Sequence, residues 1–220
     1  MIKKATLGFL RSLGENNDKA WFEDHRDVYD VAKADAIDAA SMLLEASSRY
    51  DPAIGQAGLD PAKCVKRIHR DPRFNKGKPP YKTELLIIFN AENPIEEAGY
   101  YLHVEPGNCH AGASLFLPSK PALDRMRRTI ADNPKEWDEI QDAKPFRDAY
   151  PDGVTALDEL KNVPSGFDSD SPAASWLKMK GYGVAAHVNH TALTGSGGLD
   201  HVIGLFAAAR PLLEFLNRDA

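Results

Sequence analysis

YYLHVEPGNCHAGASLFL, residues 100–117, is the stretch on which the fold turns. Residues 100–105 and 109–117 are rich in aromatic and apolar side chains, and Pro106-Gly107-Asn108 sits between them. Proline removes a donor, and glycine and asparagine accept the backbone angles of a tight reversal. The stretch therefore reads as a β-hairpin with a short loop. Upstream, 82–90 reads as a further strand, apolar on both faces and so expected at the centre of its sheet. Residues 64–69 read as another strand, broken by Asp71-Pro72, and 74–80 as a loop with Gly77, Pro79 and Pro80.

Helical signals lie outside this middle. Thr6 is placed to cap a helix over 7–13 that ends at Gly14, and Asn17 to cap a long helix reaching about Arg49, with Asp18 in its first turn. Trp21, His25, Val28 and Ala32 form one helical stripe; Phe22, Arg26, Tyr29 and Lys33 form the next. Downstream, Ser119 with Pro121 opens a helix to about Ala131, and Pro134 opens another. A short mixed segment (145–163) and a polar loop (165–172) precede a last strand over 181–188 and a turn over 194–198. The terminal helix, 199–217, should be kinked or split by Pro211. The expectation is an α+β fold, one domain over 1–220, with a largely antiparallel central sheet flanked by N- and C-terminal helices.

Composition narrows the class. Apolar residues at 43% and charged residues at 27% exclude a chain disordered as a whole. No apolar run approaches the roughly 18 residues of a membrane span. The basic Met1–Lys4 start, with no apolar stretch before Arg11, does not read as a secretory signal. Cys64 and Cys109 sit in no Cys-x-x-Cys pattern, so reduced thiols in the cytoplasm are expected, without a zinc finger. The formal charge of −5 is unevenly spread. Between Pro61 and Thr83, the eight cations Lys63, Lys66, Arg67, Arg70, Arg73, Lys76, Lys78 and Lys82 face only Asp71, a local +7 that leaves −12 for the rest. One basic segment in an acidic chain suggests a local anion site more than a nucleic-acid coat.

Four groups of residues carry a resemblance. The first is Phe9-Leu10, Leu13, Asn16-Asn17, Trp21-Phe22, Arg26 and Tyr29. The second runs Arg67-Ile68-His69-Arg70-Asp71-Pro72-Arg73-Phe74, then Lys78-Pro79-Pro80-Tyr81-Lys82-Thr83. The third is Gly99-Tyr100-Tyr101-Leu102-His103-Val104-Glu105-Pro106-Gly107, then Gly112 and Leu117-Pro118. A weaker fourth is Val163-Pro164-x-Gly166-Phe167, then Leu177-Lys178-x-Lys180. In this order they resemble the conserved hypothetical family called domain of unknown function 2461, of bacteria and fungi. The resemblance implies a single domain and brings no activity, cofactor or substrate with it.

The candidate site follows from the residues themselves. Arginine offers a planar fork of donors matched to carboxylate or phosphate, and lysine a point charge. Arg67, Arg70, Arg73, Lys78 and Lys82 are thus candidates to hold an anionic small molecule, with Arg26 stacked on the aromatics of its helix. Tyr81, Trp21 or Phe74 would pack the rest of the ligand, and His69 or His103 is the candidate acid or base. Against this stands a structural reading, in which the cations pair with Asp71, Glu84 and other carboxylates. On the hairpin, His103, Glu105 and His110 would share one face if Gly107-Asn108 were the loop. That is the donor set of a non-haem iron site, set against a plain polar face. His187-x-x-His190 would need a turn to chelate, and Gly195-Ser196-Gly197-Gly198 reads as a flexible turn or an anion cradle. No Walker, dinucleotide, nucleophile-elbow or His-Glu-x-x-His motif is present. The sequence names no metal, cofactor, reaction or oligomeric state. A nucleic-acid or protein interaction module is the alternative, weighed down by a pI of about 5.8.

Overall fold

The chain begins with α1 (Lys4–Glu15), α2 (Lys19–Asp24), α3 (Arg26–Ser47), α4 (Pro52–Gln56) and α5 (Pro61–Cys64). Strands β1 (Leu85–Phe89), β2 (Gly99–Val104) and β3 (His110–Leu115) follow, then α6 (Lys120–Asp132), α7 (Pro134–Asp142), α8 (Lys144–Ala149) and α9 (Ala174–Leu177). β4 (Tyr182–His187), α10 (His190–Thr194) and α11 (Gly198–Leu216) complete it. This computed structural model describes every residue except Pro72, Phe74, 91–95, Phe116 and Ala220. The fold is α+β, with a four-stranded antiparallel sheet in the order β1-β2-β3-β4. Among the described residues no helix is long and apolar enough to cross a membrane.

The hairpin forms where its sequence places it. Asn108 N donates to Glu105 O (3.0 Å) across the reversal, and Gly107 takes φ +88°, an angle open to glycine at little cost. β1 is not central; it stands first in the strand order. Instead of the strand expected over 64–69, Val65 makes an isolated antiparallel bridge to Ile87 of β1, and His69 makes another to Tyr81, ahead of that strand. Cys64 itself closes α5, because Asp60 caps that helix and Pro61 fills its first position.

The chain divides into two compact units. The first comprises Met1–Phe89, Tyr101–Ala111 and His187–Ile203. Its helices pack on the alanine face of α3, where Ala32, Ala36, Ala39, Ala40 and Leu43 are buried and small side chains let α1 and α5 approach. Thr6 does not cap α1; Lys3 holds that position with no side-chain cap. The hydroxyl of Thr6 donates instead to the buried Asp35 carboxylate (2.5 Å), which also accepts from Lys3 N (2.8 Å). Asp35, on another helix, thus satisfies one orphan donor at the start of α1, the Lys3 N–H. The long helix expected from Asn17 to about Arg49 is two helices, ending at Ser47. Asp18, not Asn17, caps α2 by accepting from Trp21 N (2.9 Å). His25 breaks the run: its ring stacks on Trp21 at 4.0 Å and its Nδ1 donates to Trp21 O (2.8 Å).

The second unit comprises Asn90–Tyr100, Gly112–Ala186 and Gly204–Ala220. Ser119 caps α6 by accepting from Ala122 N, and Pro134 opens α7, as the sequence indicates. Trp137, fully buried, centres an aromatic cluster with Trp176, Tyr182 and Phe215. β3 and β4 approach so closely that a Cβ on Gly112 would run into the Val184 carbonyl. Helix α11 neither splits nor ends at Pro211. The carbonyl freed by its missing N–H belongs to Ala207, and both residues lie on the exposed face, open to solvent.

Candidate functional site

Tyr81 is the hub of the candidate site. It is 3% exposed, and its ring lies flat on Phe22 at 3.9 Å. Its backbone is bracketed by the Asn17 side chain: Tyr81 N donates to Asn17 Oδ1 (3.1 Å) and Asn17 Nδ2 donates to Tyr81 O (3.0 Å). An asparagine amide carries the same donor and acceptor as a peptide group, so Asn17 fills the place of one neighbouring strand residue. That explains why Asn17 is not the helix cap.

Three sequence-derived candidates meet at this hub. His69 is exposed, bridged to Tyr81 through the backbone, and edge-on to both Phe22 (5.5 Å) and Tyr81 (5.0 Å). Arg26 lies over Phe22 (5.9 Å) and Tyr29 (5.8 Å) in the stacking the helical spacing suggests, and pairs with Asp30 at 3.5 Å. Arg70 donates from Nε to Tyr81 O (3.2 Å), which fixes its guanidinium at the base and leaves its two terminal nitrogens without an acceptor among the described residues. Burial raises the Tyr81 hydroxyl pKa, with Glu23 adding to the rise and Arg26 opposing it. Tyr29 is raised for the same first reason, again against Arg26.

The other candidates do not converge there. Arg73 turns its fork onto Asp71 (Nε to Oδ1 3.1 Å, Nη2 to Oδ2 2.7 Å), which holds that carboxyl below its usual range. Lys78 sits on the 75–78 turn, and Arg67 lies exposed beside His69. Lys82 is half-buried and bonded to Ile68 only through its backbone. Arg67, Lys78 and Lys82 make no ion pair among the described residues. Trp21 stacks on His25 and packs against Phe9, and Phe74 lies outside the described residues.

His103 lies on the hairpin with His110, their rings 4.3 Å apart. The turn is centred on Pro106-Gly107 and not on the Gly107-Asn108 loop that the expected face required, though the Glu105 carboxylate stands 4.0 Å from His103 Nε2. Its nitrogens are otherwise directed: Nδ1 of both rings faces Asn108 O (3.1 and 3.3 Å). Among the described residues no group of three His, Cys, Asp or Glu side chains is arranged to hold a metal ion. Burial lowers the His110 pKa, with repulsion from His103 next. His190 heads α10 and its Nε2 accepts from Gly107 N (2.8 Å), a link between the hairpin turn and α10 with no signal in the sequence. A separate cleft of about 450 Å³ in this unit is lined by Lys4, Gly8, Arg11, His190 and Thr194 among others.

A family model described as "Conserved hypothetical protein (DUF2461)" matches residues 5–215. No curated protein and no solved structure matches the chain.

Proposed function

We infer that this chain, which belongs to the conserved hypothetical DUF2461 family, is a binder of, or an enzyme acting on, a phosphate- or carboxylate-bearing small molecule at the face built on Tyr81. One observation carries the reading: Arg70 is anchored by Nε on the Tyr81 carbonyl, so its remaining nitrogens are held ready for an acceptor. A preorganised guanidinium loses little freedom when it binds. His69 and the Arg26-covered ring of Phe22 meet the same Tyr81, and Arg67 and Lys82 add positive charge nearby in the chain. His69, in contact with Tyr81, is the candidate acid or base at this face; His103 belongs to the hairpin. Arg73, spent on Asp71, fits the structural reading better and is left out of the ligand set.

The test is a thermal-shift screen of phosphorylated and carboxylated metabolites. A ligand at 100 times its dissociation constant stabilises a fold by about 2.7 kcal/mol, which raises Tm by roughly 2–4 °C at this size. The shift is expected to vanish in Arg70→Ala and to persist in Arg73→Ala. The assignment is sunk if no compound in the screen gives a shift that Arg70→Ala removes. Oligonucleotide binding that falls steeply with salt would favour the interaction-module reading instead.

A further inference from the structure

The second unit holds a cleft of about 470 Å³ that plays no part in the face around Tyr81. One wall is α6, which presents Lys120, Asp124, Arg127 and Arg128; the other is the 164–167 loop, with Ser165, Gly166 and Phe167. Spacings of four, seven and eight place those α6 residues on one helical face. Three cations there face one carboxylate. Asp124 is already shared among them: Lys120 Nζ lies 3.0 Å from Oδ2, Arg127 Nη1 3.7 Å from Oδ1, and Arg128 Nε donates to its backbone carbonyl (3.3 Å). The cleft is left with two positive charges in excess.

Arg127 is the member that asks for an explanation. Its side chain is only 6% exposed. Its Nη2 donates to Met179 O (2.8 Å) and the guanidinium stands beside the Tyr182 hydroxyl, while its Nε is buried with no hydrogen-bond partner among the described residues. Taking a guanidinium out of water is costly unless charge and donors are matched, and a donor left unmade adds to that cost. Apolar replacement of buried charge is often neutral or stabilising, so a guanidinium kept here with a donor unmade points to a role beyond packing. The weakest of the four sequence motifs also finds its place here. Val163-Pro164-Ser165-Gly166-Phe167 supplies the loop wall, and Lys178-Met179-Lys180 supplies the carbonyl that holds Arg127.

We propose that this cleft is a second binding site, for a small anion whose phosphate or carboxylate group sits against Arg127 and Arg128 and whose apolar remainder sits against Phe167. Its volume falls in the range of small-molecule sites, roughly 300–1,000 Å³. The proposal stands apart from the one made for Arg70, since every lining residue lies in the second unit.

The probes are inorganic phosphate, phenyl phosphate and benzoate, titrated into the full chain while arginine Nε–H resonances are followed by NMR. The Arg127 signal, assigned by its loss in Arg127→Lys or through-bond from the backbone, is expected to shift to saturation. Phenyl phosphate is expected to bind more tightly than inorganic phosphate. Arg128→Ala, at an exposed position, is expected to weaken binding by about tenfold or more, the worth of one charge-assisted hydrogen bond. Arg70→Ala should leave the titration unchanged. The proposal is overturned if no probe moves the Arg127 resonance up to millimolar concentration, or if Arg128→Ala binds like the parent. Loss of binding in Arg70→Ala alone would also overturn it, and would place the anion at the Tyr81 face.

Discussion

At the scale of single residues, two asparagines do the same work in the two units. Asn17 brackets the backbone of Tyr81, and Asn217 brackets that of Ala98, accepting from its N–H (2.7 Å) and donating to its carbonyl (3.0 Å). Each supplies a strand partner from outside any strand. Removing one leaves a buried amide donor without an acceptor, the expensive kind of loss. Asn17→Ala is therefore expected to lower the unfolding free energy by about 1–3 kcal/mol in urea denaturation. Asn17→Asp keeps the acceptor, loses the donor, and should fall between. A midpoint equal to the parent's in Asn17→Ala would show that the bracket contributes nothing. These roles are not legible in the sequence. Asn17 followed by Asp18 carries every local mark of a helix cap, and what overrides it is Tyr81, 64 positions away.

At the scale of elements, the sequence spoke clearly wherever the cause was local. Ser119 and Pro134 mark their helices through groups within one turn, and Pro106-Gly107-Asn108 marks its own reversal. It misled where tertiary partners decide. The 64–69 run has strand chemistry, but Asp60-Pro61 commits Cys64 to a helix, leaving two bridges. His25 looks like a mid-helix residue until its ring folds onto Trp21. At the candidate site, Arg26 over its aromatics was legible from spacing; Arg70 anchored on a carbonyl was not. Pro211 is the instructive case, since a strong local rule loses to a helix packed along its length with Leu212, Leu213, Phe215 and Leu216 buried. Its cost remains. Pro211→Ala restores a helical N–H on an exposed face and is expected to stabilise the protein by about 1–3 kcal/mol with an unchanged denaturant slope. A lowered midpoint would mean that the proline is needed for its shape.

At the scale of the whole molecule, pH should act through the hairpin histidines. Burial and the neighbouring His103 depress the His110 pKa below its usual 6.5, with His187 adding to the repulsion and Asn108 O and Glu105 opposing it. The unfolded chain therefore takes up this proton first as pH falls. The stability held by neutral His110 is full above about 6.5 and declines from there through the lower folded value. Chemical denaturation from pH 8 to 5 is expected to show that decline, with a shallower slope in His110→Gln; identical slopes would remove His110 as its source. The carboxylates of Asp71, Glu136 and Asp158, held low by Arg73, Arg218 and Lys180, lose their pairing only below the usual carboxylate range. The two asparagine brackets have a last consequence, in time instead of free energy. They join positions 64 and 119 residues apart, so each closes a long loop. Loop entropy grows so slowly with length that the longer closure costs only about 0.6 kcal/mol more than the shorter. Contacts that form after the barrier leave the folding rate alone and slow the reverse step. The brackets are therefore expected to act as latches: Asn17→Ala should speed unfolding and leave the folding rate near the parent's, which stopped-flow chevrons read as a φ-value near zero.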